Sequence, residues 1–141
     1  MKSPHRVVIV GAGFAGLTCA RELAKNSAVH VTVIDRNPYQ TFSPLLYQVA
    51  TGGLPEDDIA YPVRAAIPGV DFRRGEVVRV DPLAKNLRLA DATVISWDDL
   101  VLATGSVGAT FGVAGVAENA LQMKSIQEAR EIRRRLLITY E

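Results

Sequence analysis

The sequence predicts an α/β fold: a parallel sheet with helices on both faces and an inserted antiparallel β-meander. Three observations carry that prediction. An apolar strand, Arg6 to Val10, runs straight into a glycine turn and the start of a helix. A second apolar run, His30-Val31-Thr32-Val33-Ile34, ends in an acid, Asp35. The residues are 48% hydrophobic but only 6% aromatic, the aliphatic balance of a parallel sheet covered on its faces.

The first stretch organises the rest. Gly11-Ala12-Gly13-Phe14-Ala15-Gly16 has the G-x-G-x-x-G spacing that, between a strand and a helix, holds the pyrophosphate of an ADP-containing dinucleotide. Gly11 permits the tight turn out of the strand, and Gly13 lets backbone come close to the phosphates. Gly16 lets the helix pack against the sheet, with small Ala20 one turn on. The helix start offers N–H groups and the positive end of its dipole. Asp35, about 20 residues further on, is placed to accept from a ribose hydroxyl. A lone glycine turn serves many loops; strand, turn, helix, strand and acid in this order make a Rossmann-like unit. The motif does not choose among dinucleotides.

At 141 residues the chain has the size of one domain with a real core, and a net charge of +1 gives no electrostatic case for nucleic acid. One cysteine excludes an internal disulfide, a Cys-x-x-Cys redox pair and a thiolate metal cluster. Cys19 reads as a small packing residue of the first helix. His5 and His30 stand at strand starts with no carboxylate, serine or cysteine constellation nearby, so neither is given a catalytic role. No metal ligands are expected. No apolar run reaches the ~20 residues that span a bilayer, and the N-terminus shows no signal-peptide pattern. The expected location is cytoplasmic.

Along the chain, the first helix is expected over Phe14 to Asn26. From Arg36 to Gly53 runs a loop with aromatics and two prolines, then a short helix that Ser43 caps and Pro44 starts. It leaves the carboxyl end of the second strand, where open α/β sheets place ligands. Its Pro44-Leu45-Leu46 suits a flat ring, or else plugs the core edge. Glu56 to Ile67 reads as a short helix disturbed by Pro62, and Val70 to Arg74 as a third parallel strand. Three β-like runs form the meander: Glu76 to Val80, Asn86 to Leu89 and Thr93 to Trp97. Turns fall at Asp81-Pro82 and Ala90-Asp91, Arg79 and Arg88 face outward, and Trp97 packs. Asp99 to Ser106 is a buried strand ending in small residues, which let its backbone approach a bound ring. A glycine-rich, structureless run spans Val107 to Val116. The last helix, Ser125 to about Tyr140, has an apolar stripe of Ile126, Ala129, Ile132, Leu136 and Leu137 and a Ser125/Glu128 capping box. Arg133-Arg134-Arg135 reads as a solvated face, and no stop signal ends the helix.

Four segments together carry a resemblance: Val8 to Leu17; Pro44-Leu45-Leu46-Tyr47-Gln48-Val49-Ala50-Thr51-Gly52; Leu100-Val101-Leu102-Ala103-Thr104-Gly105-Ser106; and Phe111-Gly112-Val113-Ala114-Gly115-Val116. They resemble the N-terminal part of the type II NADH:quinone oxidoreductases, FAD-dependent pyridine nucleotide oxidoreductases with two dinucleotide domains. The resemblance covers essentially the whole chain, and the second segment is far more specific than the first. It implies FAD as the cofactor. Gly11, Gly13, Phe14, Ala15 and Gly16 would surround its pyrophosphate, with Asp35 on the adenosine ribose. Arg36 and Asn37 would lie near the adenosine end, and backbone at Val77 would meet the adenine. Pro44, Leu45, Ala103, Thr104 and Gly105 would approach the isoalloxazine or its ribityl chain. Gln48 matches a position near the quinone side. The family often has Glu where Asp35 stands, and Ser106 to Thr110 lacks a proline of the family pattern.

The implied function is the FAD-binding part of an oxidoreductase that passes electrons from NADH through FAD to a quinone, with no side chain here acting as acid, base or nucleophile. The lack of a cysteine pair argues against the disulfide-reductase branch. The family's second fingerprint domain for NADH, its returning strand with a Gly-Asp pair and its C-terminal amphipathic membrane segment are not found in these 141 residues. The chain is therefore expected to be an incomplete FAD-binding domain, residues 1–141, with a natural short protein as the other reading. By itself it is not expected to turn over. In the parent, NADH and quinone are partners, and attachment is peripheral on the inner face of the cell membrane. The missing strand leaves a sheet edge at which two copies could pair. The alternative is a dinucleotide-binding or structural module without activity. An NAD-binding domain of a simpler dehydrogenase fits the loop and the meander poorly.

Overall fold

Successive apolar residues of one central strand point alternately to the two faces of the sheet, and both faces are covered. The computed structural model describes residues 4–140. In chain order it contains β1 (His5–Val10), α1 (Phe14–Leu23), β2 (Val29–Asp35), β3 (Tyr39–Thr41), a 3-10 turn at Ser43–Leu45 and α2 (Leu46–Thr51). A second 3-10 turn, Glu56–Ile59, leads to β4 (Ala60–Pro62), α3 (Val63–Ala66) and β5 (Asp71–Arg74). Then follow β6 (Val77–Asp81), β7 (Asn86–Leu89), β8 (Val94–Ser96), β9 (Asp99–Leu102), α4 (Val116–Asn119) and α5 (Ile126–Thr139). Two compact units form: residues up to Gln40 with Pro62–Gly105, and Thr41–Tyr61 with the residues from Ser106 on.

The first unit is built on a four-stranded parallel sheet of order β5-β2-β1-β9. Val7 and Ile9 point to one face of β1 and, with Val31 and Val33 of β2, pack under Leu17 and Ala20 of α1, under Val63 and Ala66 of α3, and against Ile67 and Phe72. Cys19 is half-buried at the margin of this cluster. Val8, Val10 and Ile34 point to the other face and meet Leu87, Leu89 and Trp97 of the meander, so the antiparallel β6-β7-β8 sheet covers that side. Apart from Cys19, all of these side chains are buried. The parallel α/β architecture and the inserted meander are those the sequence predicts, with Trp97 packing and Arg79 and Arg88 exposed.

The meander turns form where aspartates accept backbone N–H groups. Asp81 Oδ1 takes those of Leu83 and Ala84 (3.1 and 2.9 Å), and Asp91 Oδ1 takes that of Thr93 (2.9 Å). The Thr93 N–H and hydroxyl, helped by Arg73, hold the Asp91 carboxyl below its ordinary value.

Several boundaries differ from the sequence expectation, each for a local reason. α1 stops at Leu23, because Asn26 turns its side-chain oxygen onto Ala28 N–H (3.0 Å) and starts the turn early. Ser43 caps nothing; the segment opens as a 3-10 turn preceded by Phe42. Glu56 to Ile67 is not one helix. It is a 3-10 turn, the three-residue β4 paired with β3, and the short α3 that Pro62 introduces from the N-cap position.

The amino ends of the parallel strands correct the reading of the two histidines. His5 Nε2 lies 2.6 Å from Asp99 and His30 Nε2 lies 3.1 Å from Asp71, each across a strand pair. Both pairs are exposed and stand at the end of the sheet opposite the glycine turn, so they clamp strand starts and do not form a reaction centre. Between them Asp98 accepts from Arg6 twice through the guanidinium (3.1 and 3.3 Å) and once through the backbone N–H (2.8 Å). The Arg6 hydrogen bonds hold the Asp98 carboxyl down to about 2, against an ordinary 3.8. A carboxyl lowered by folding stabilises the fold at pH values above its unfolded value and stops doing so as pH falls through the folded one. Wild type is therefore expected to resist urea better than Asp98→Asn at pH 6, with the gap closing by pH 2. A gap that stayed constant across that range would contradict the assignment.

In the second unit α2 packs on α5. The capping box at Ser125 is complete, with Glu128 N–H on Ser125 Oγ (3.2 Å) and Ser125 N–H on Glu128 Oε2 (2.9 Å). The expected apolar stripe holds only through its first half. Ile126 and Ala129 are buried and Ile132 half-buried, but Leu136 and Leu137 are 44% and 59% exposed. The arginine run is more than a solvated face: Arg134 and Arg135 both donate to Glu131 and hold its carboxyl down to about 2, while Arg133 lies beside Gly52. Arg130 pairs with Glu56. No described helix is long and apolar enough to cross a membrane.

Candidate functional site

The sheet order places β2 and β5 on one side of β1 and β9 on the other. A parallel sheet wound in opposite directions from one strand opens a crevice at the carboxyl ends, where α/β proteins hold ligands. The Gly11–Gly16 turn leaves β1 at that point.

The turn is pinned from both neighbouring strands. Gly11 N–H donates to Ile34 O (2.8 Å) and Ala103 N–H donates to Val10 O (2.8 Å). Gly11 has φ +108°, and a Cβ there would lie 2.1 Å from Ala103 O. A Cβ on Gly16 would lie 1.9 Å from Gly11 O, so turn and helix touch backbone to backbone. Gly13 differs: a Cβ there would meet no heavy atom within 4 Å. The turn is thus closed on the protein side at Gly11 and Gly16 and open at Gly13. α1 starts from Gly13, a residue with no side chain to cap it, and has no acid in its first turn. Phe14 and Ala15 are exposed beside it.

Asp35 closes the second side. Its half-buried carboxylate turns toward the turn: Oδ2 accepts Ala12 N–H at 2.7 Å and Oδ1 accepts Asn37 N–H at 2.8 Å. Each oxygen keeps a lone pair for a further donor. Arg36 and Asn37 follow on the surface, and Arg36 O accepts from Arg74 Nε (3.1 Å). Gly75 N–H donates to Asp35 O (2.9 Å), which brings the loop leading to Val77 to the same edge; Val77 opens β6 half-buried. Ala103, Thr104 and Gly105 run out of β9, with Ala103 against Gly11, Thr104 exposed and Gly105 at φ +71°.

The first unit therefore brings together Gly11, Gly13, Phe14, Ala15, Gly16, Asp35, Arg36, Asn37, Val77, Ala103, Thr104 and Gly105. Pro44 and Leu45 lie in the second unit, in the 3-10 turn before α2, where Pro44 is exposed and Leu45 half-buried. Gln48 is in α2, its carbonyl taken by Gly53 N–H (2.7 Å). Sequence reasoning missed the Ala12 and Gly75 N–H groups, both backbone donors with no residue-type signature. It also missed the ties of His5 and Arg6 to acids 94 and 92 residues away.

Residues 5–138 match the family described as pyridine nucleotide-disulphide oxidoreductase. Over 97% of its length the chain is 41% identical to a type II NADH:quinone oxidoreductase of Mycobacterium tuberculosis, of which it covers 30%. The structure superposes on the sulfide:quinone oxidoreductase of Aquifex aeolicus with a TM-score of 0.88 and 28% identity, over 96% of this chain and 32% of that one. It matches the fold of the Plasmodium falciparum NDH2 solved with NADH at a TM-score of 0.82 and 24% identity, over 95% and 29% of the two chains. The chain spans about a third of the length of these relatives.

Proposed function

Because the chain belongs to the pyridine nucleotide-disulphide oxidoreductase family, we propose that it binds FAD and is the FAD-binding part of an enzyme that carries electrons from NADH to a quinone. One observation supports this most. The Asp35 carboxylate and the open side of Gly13 face the same glycine turn, at the positive end of a helix whose N-cap residue is glycine. The M. tuberculosis relative, by its name, supplies NADH and quinone as the donor and acceptor.

When bound, FAD supplies the two-electron relay between those substrates. In this reading Gly11, Gly13, Phe14, Ala15 and Gly16 hold the pyrophosphate and Asp35 accepts from the ribose. Arg36, Asn37 and Val77 border the adenosine, and Ala103, Thr104 and Gly105 border the ring or its ribityl chain. For Pro44 and Leu45 at the ring and Gln48 toward the quinone, the resemblance alone supports the assignment. None of these side chains is asked to give or take a proton; they bind, orient and exclude water.

The 141 residues carry one G-x-G-x-x-G, so the chain by itself holds flavin without turning over. Purified chain with excess FAD is expected to show a perturbed, saturable flavin band, yet to oxidise NADH in the presence of a water-soluble quinone no faster than free FAD does. Steady, protein-dependent NADH oxidation would contradict the second statement. Bound nicotinamide absorbance without flavin colour would contradict the first.

A further inference from the structure

Asp35 does more in this structure than stand ready for a ribose. Its side chain and backbone join three loops at the carboxyl edge of the sheet. Oδ2 holds the β1–α1 turn through Ala12 N–H (2.7 Å), and Oδ1 holds the β2 exit through Asn37 N–H (2.8 Å). Its carbonyl holds the β5 exit through Gly75 N–H (2.9 Å). The preceding residue, Ile34, receives Gly11 N–H (2.8 Å). The first turn of α1 contains no acid that could take over the Ala12 N–H.

We propose that Asp35 is a positioning residue that fixes the shape of the glycine turn before any nucleotide arrives, in addition to accepting from the nucleotide once bound. The chemistry favours this use of an aspartate. A carboxylate accepts backbone N–H groups with charge-assisted bonds, roughly twice as strong as neutral ones. Its short side chain reaches two main-chain donors, one two residues on and one 23 residues back, without the rotamer loss of a longer one. An Asn at this position keeps one acceptor oxygen and offers a donor where the other stood, so one of the two N–H groups loses its partner. A Glu keeps the charge and the capacity to accept from ribose, but its extra methylene moves both oxygens off positions set by Asp. The turn is then ordered at the moment of binding, and the ordering entropy lowers affinity.

The ribose half of this statement rests on the FAD reading; the turn-holding half does not, and the two are tested separately. Amide hydrogen exchange is measured residue by residue on the 141-residue chain without ligand, for wild type, Asp35→Asn and Asp35→Glu. Asp35→Glu is expected to speed exchange at both Ala12 and Asn37, and Asp35→Asn at one of the two, by about 10- to 100-fold, with Val8 and Val33 in the sheet core unchanged. Exchange unchanged at both Ala12 and Asn37 in either folded variant overturns the positioning role; a variant that fails to fold leaves the other to decide. FAD titration forms the second arm. A carboxylate that only met the ribose would leave Asp35→Glu near wild-type affinity, whereas a carboxylate that shapes the turn costs that variant about tenfold. Wild-type affinity in Asp35→Glu overturns the proposal. If wild type binds no FAD, the cofactor reading fails while the exchange result still stands or falls alone.

Discussion

Gly16→Ala is expected to destabilise the first unit by about 3 kcal/mol or more, a large share of the ~5–15 kcal/mol that holds an ordinary domain together. The added methyl would lie 1.9 Å from Gly11 O, and the obstacle is backbone, so no side-chain rotation relieves it. Either α1 lifts off the sheet, unpacking Leu17 and Ala20 from Val7, Ile9, Val31 and Val33, or the turn opens and releases Gly11 N–H from Ile34 O. Gly11→Ala meets a similar barrier, with Ala103 O at 2.1 Å and a φ of +108° that alone costs about 1–3 kcal/mol for a residue with a side chain. Urea midpoints followed by far-UV circular dichroism measure both. A shift worth less than about 1 kcal/mol for Gly16→Ala would mean that turn and helix are not in backbone contact.

Gly13→Ala is expected to do the reverse: keep the fold and lose the nucleotide. Gly13 sits at φ −79° and ψ −167°, an extended conformation open to alanine, and a methyl there meets nothing within 4 Å. The loss of an N-cap glycine costs at most about 1 kcal/mol. In the proposed FAD reading, that same free space is where a phosphate comes against the backbone to reach the helix N-terminus. A methyl filling it is expected to lower FAD affinity by about 100-fold, or ~2.7 kcal/mol, with an unchanged urea midpoint. Affinity within threefold of wild type in the folded variant would place the pyrophosphate elsewhere. The pair of substitutions separates two uses of glycine in one motif: Gly16 makes room for the protein, and in the proposed FAD reading Gly13 makes room for the ligand.

The close packing of the turn was legible in the sequence because it is local. The backbone contacts at Gly11 and Gly16 follow from their spacing between an apolar strand and an apolar helix, and the place of Asp35 beside the turn follows from its position at the end of the next strand. β1 was readable for the same reason, its alternating Val7/Ile9 and Val8/Val10 fixing two buried faces. What covers each face was less so. The pairing of Leu87, Leu89 and Trp97 with Val8, Val10 and Ile34 joins residues far apart in sequence, and no periodicity announces it. The ion pairs of His5 with Asp99 and Arg6 with Asp98 were hidden by the same distance. β3 and β4, three residues each, are too short to show an alternation, and Pro62 at the end of β4 pointed toward a broken helix. The outer half of α5 has helical spacing without burial, because an apolar stripe records what a helix is able to cover and not what lies against it. The partners of Asp35 are backbone N–H groups, which every residue type but proline possesses, so only coordinates reveal them.

The central claim is that the β1–α1 turn grips a diphosphate. Parallel titrations of the chain with FAD and with riboflavin, which carries the same ring without the diphosphate and adenosine, test it most directly through flavin fluorescence. Two or more charge-assisted hydrogen bonds to phosphate predict an affinity for FAD at least about 100-fold above that for riboflavin. Equal affinities, or no saturable change with either, would contradict the account.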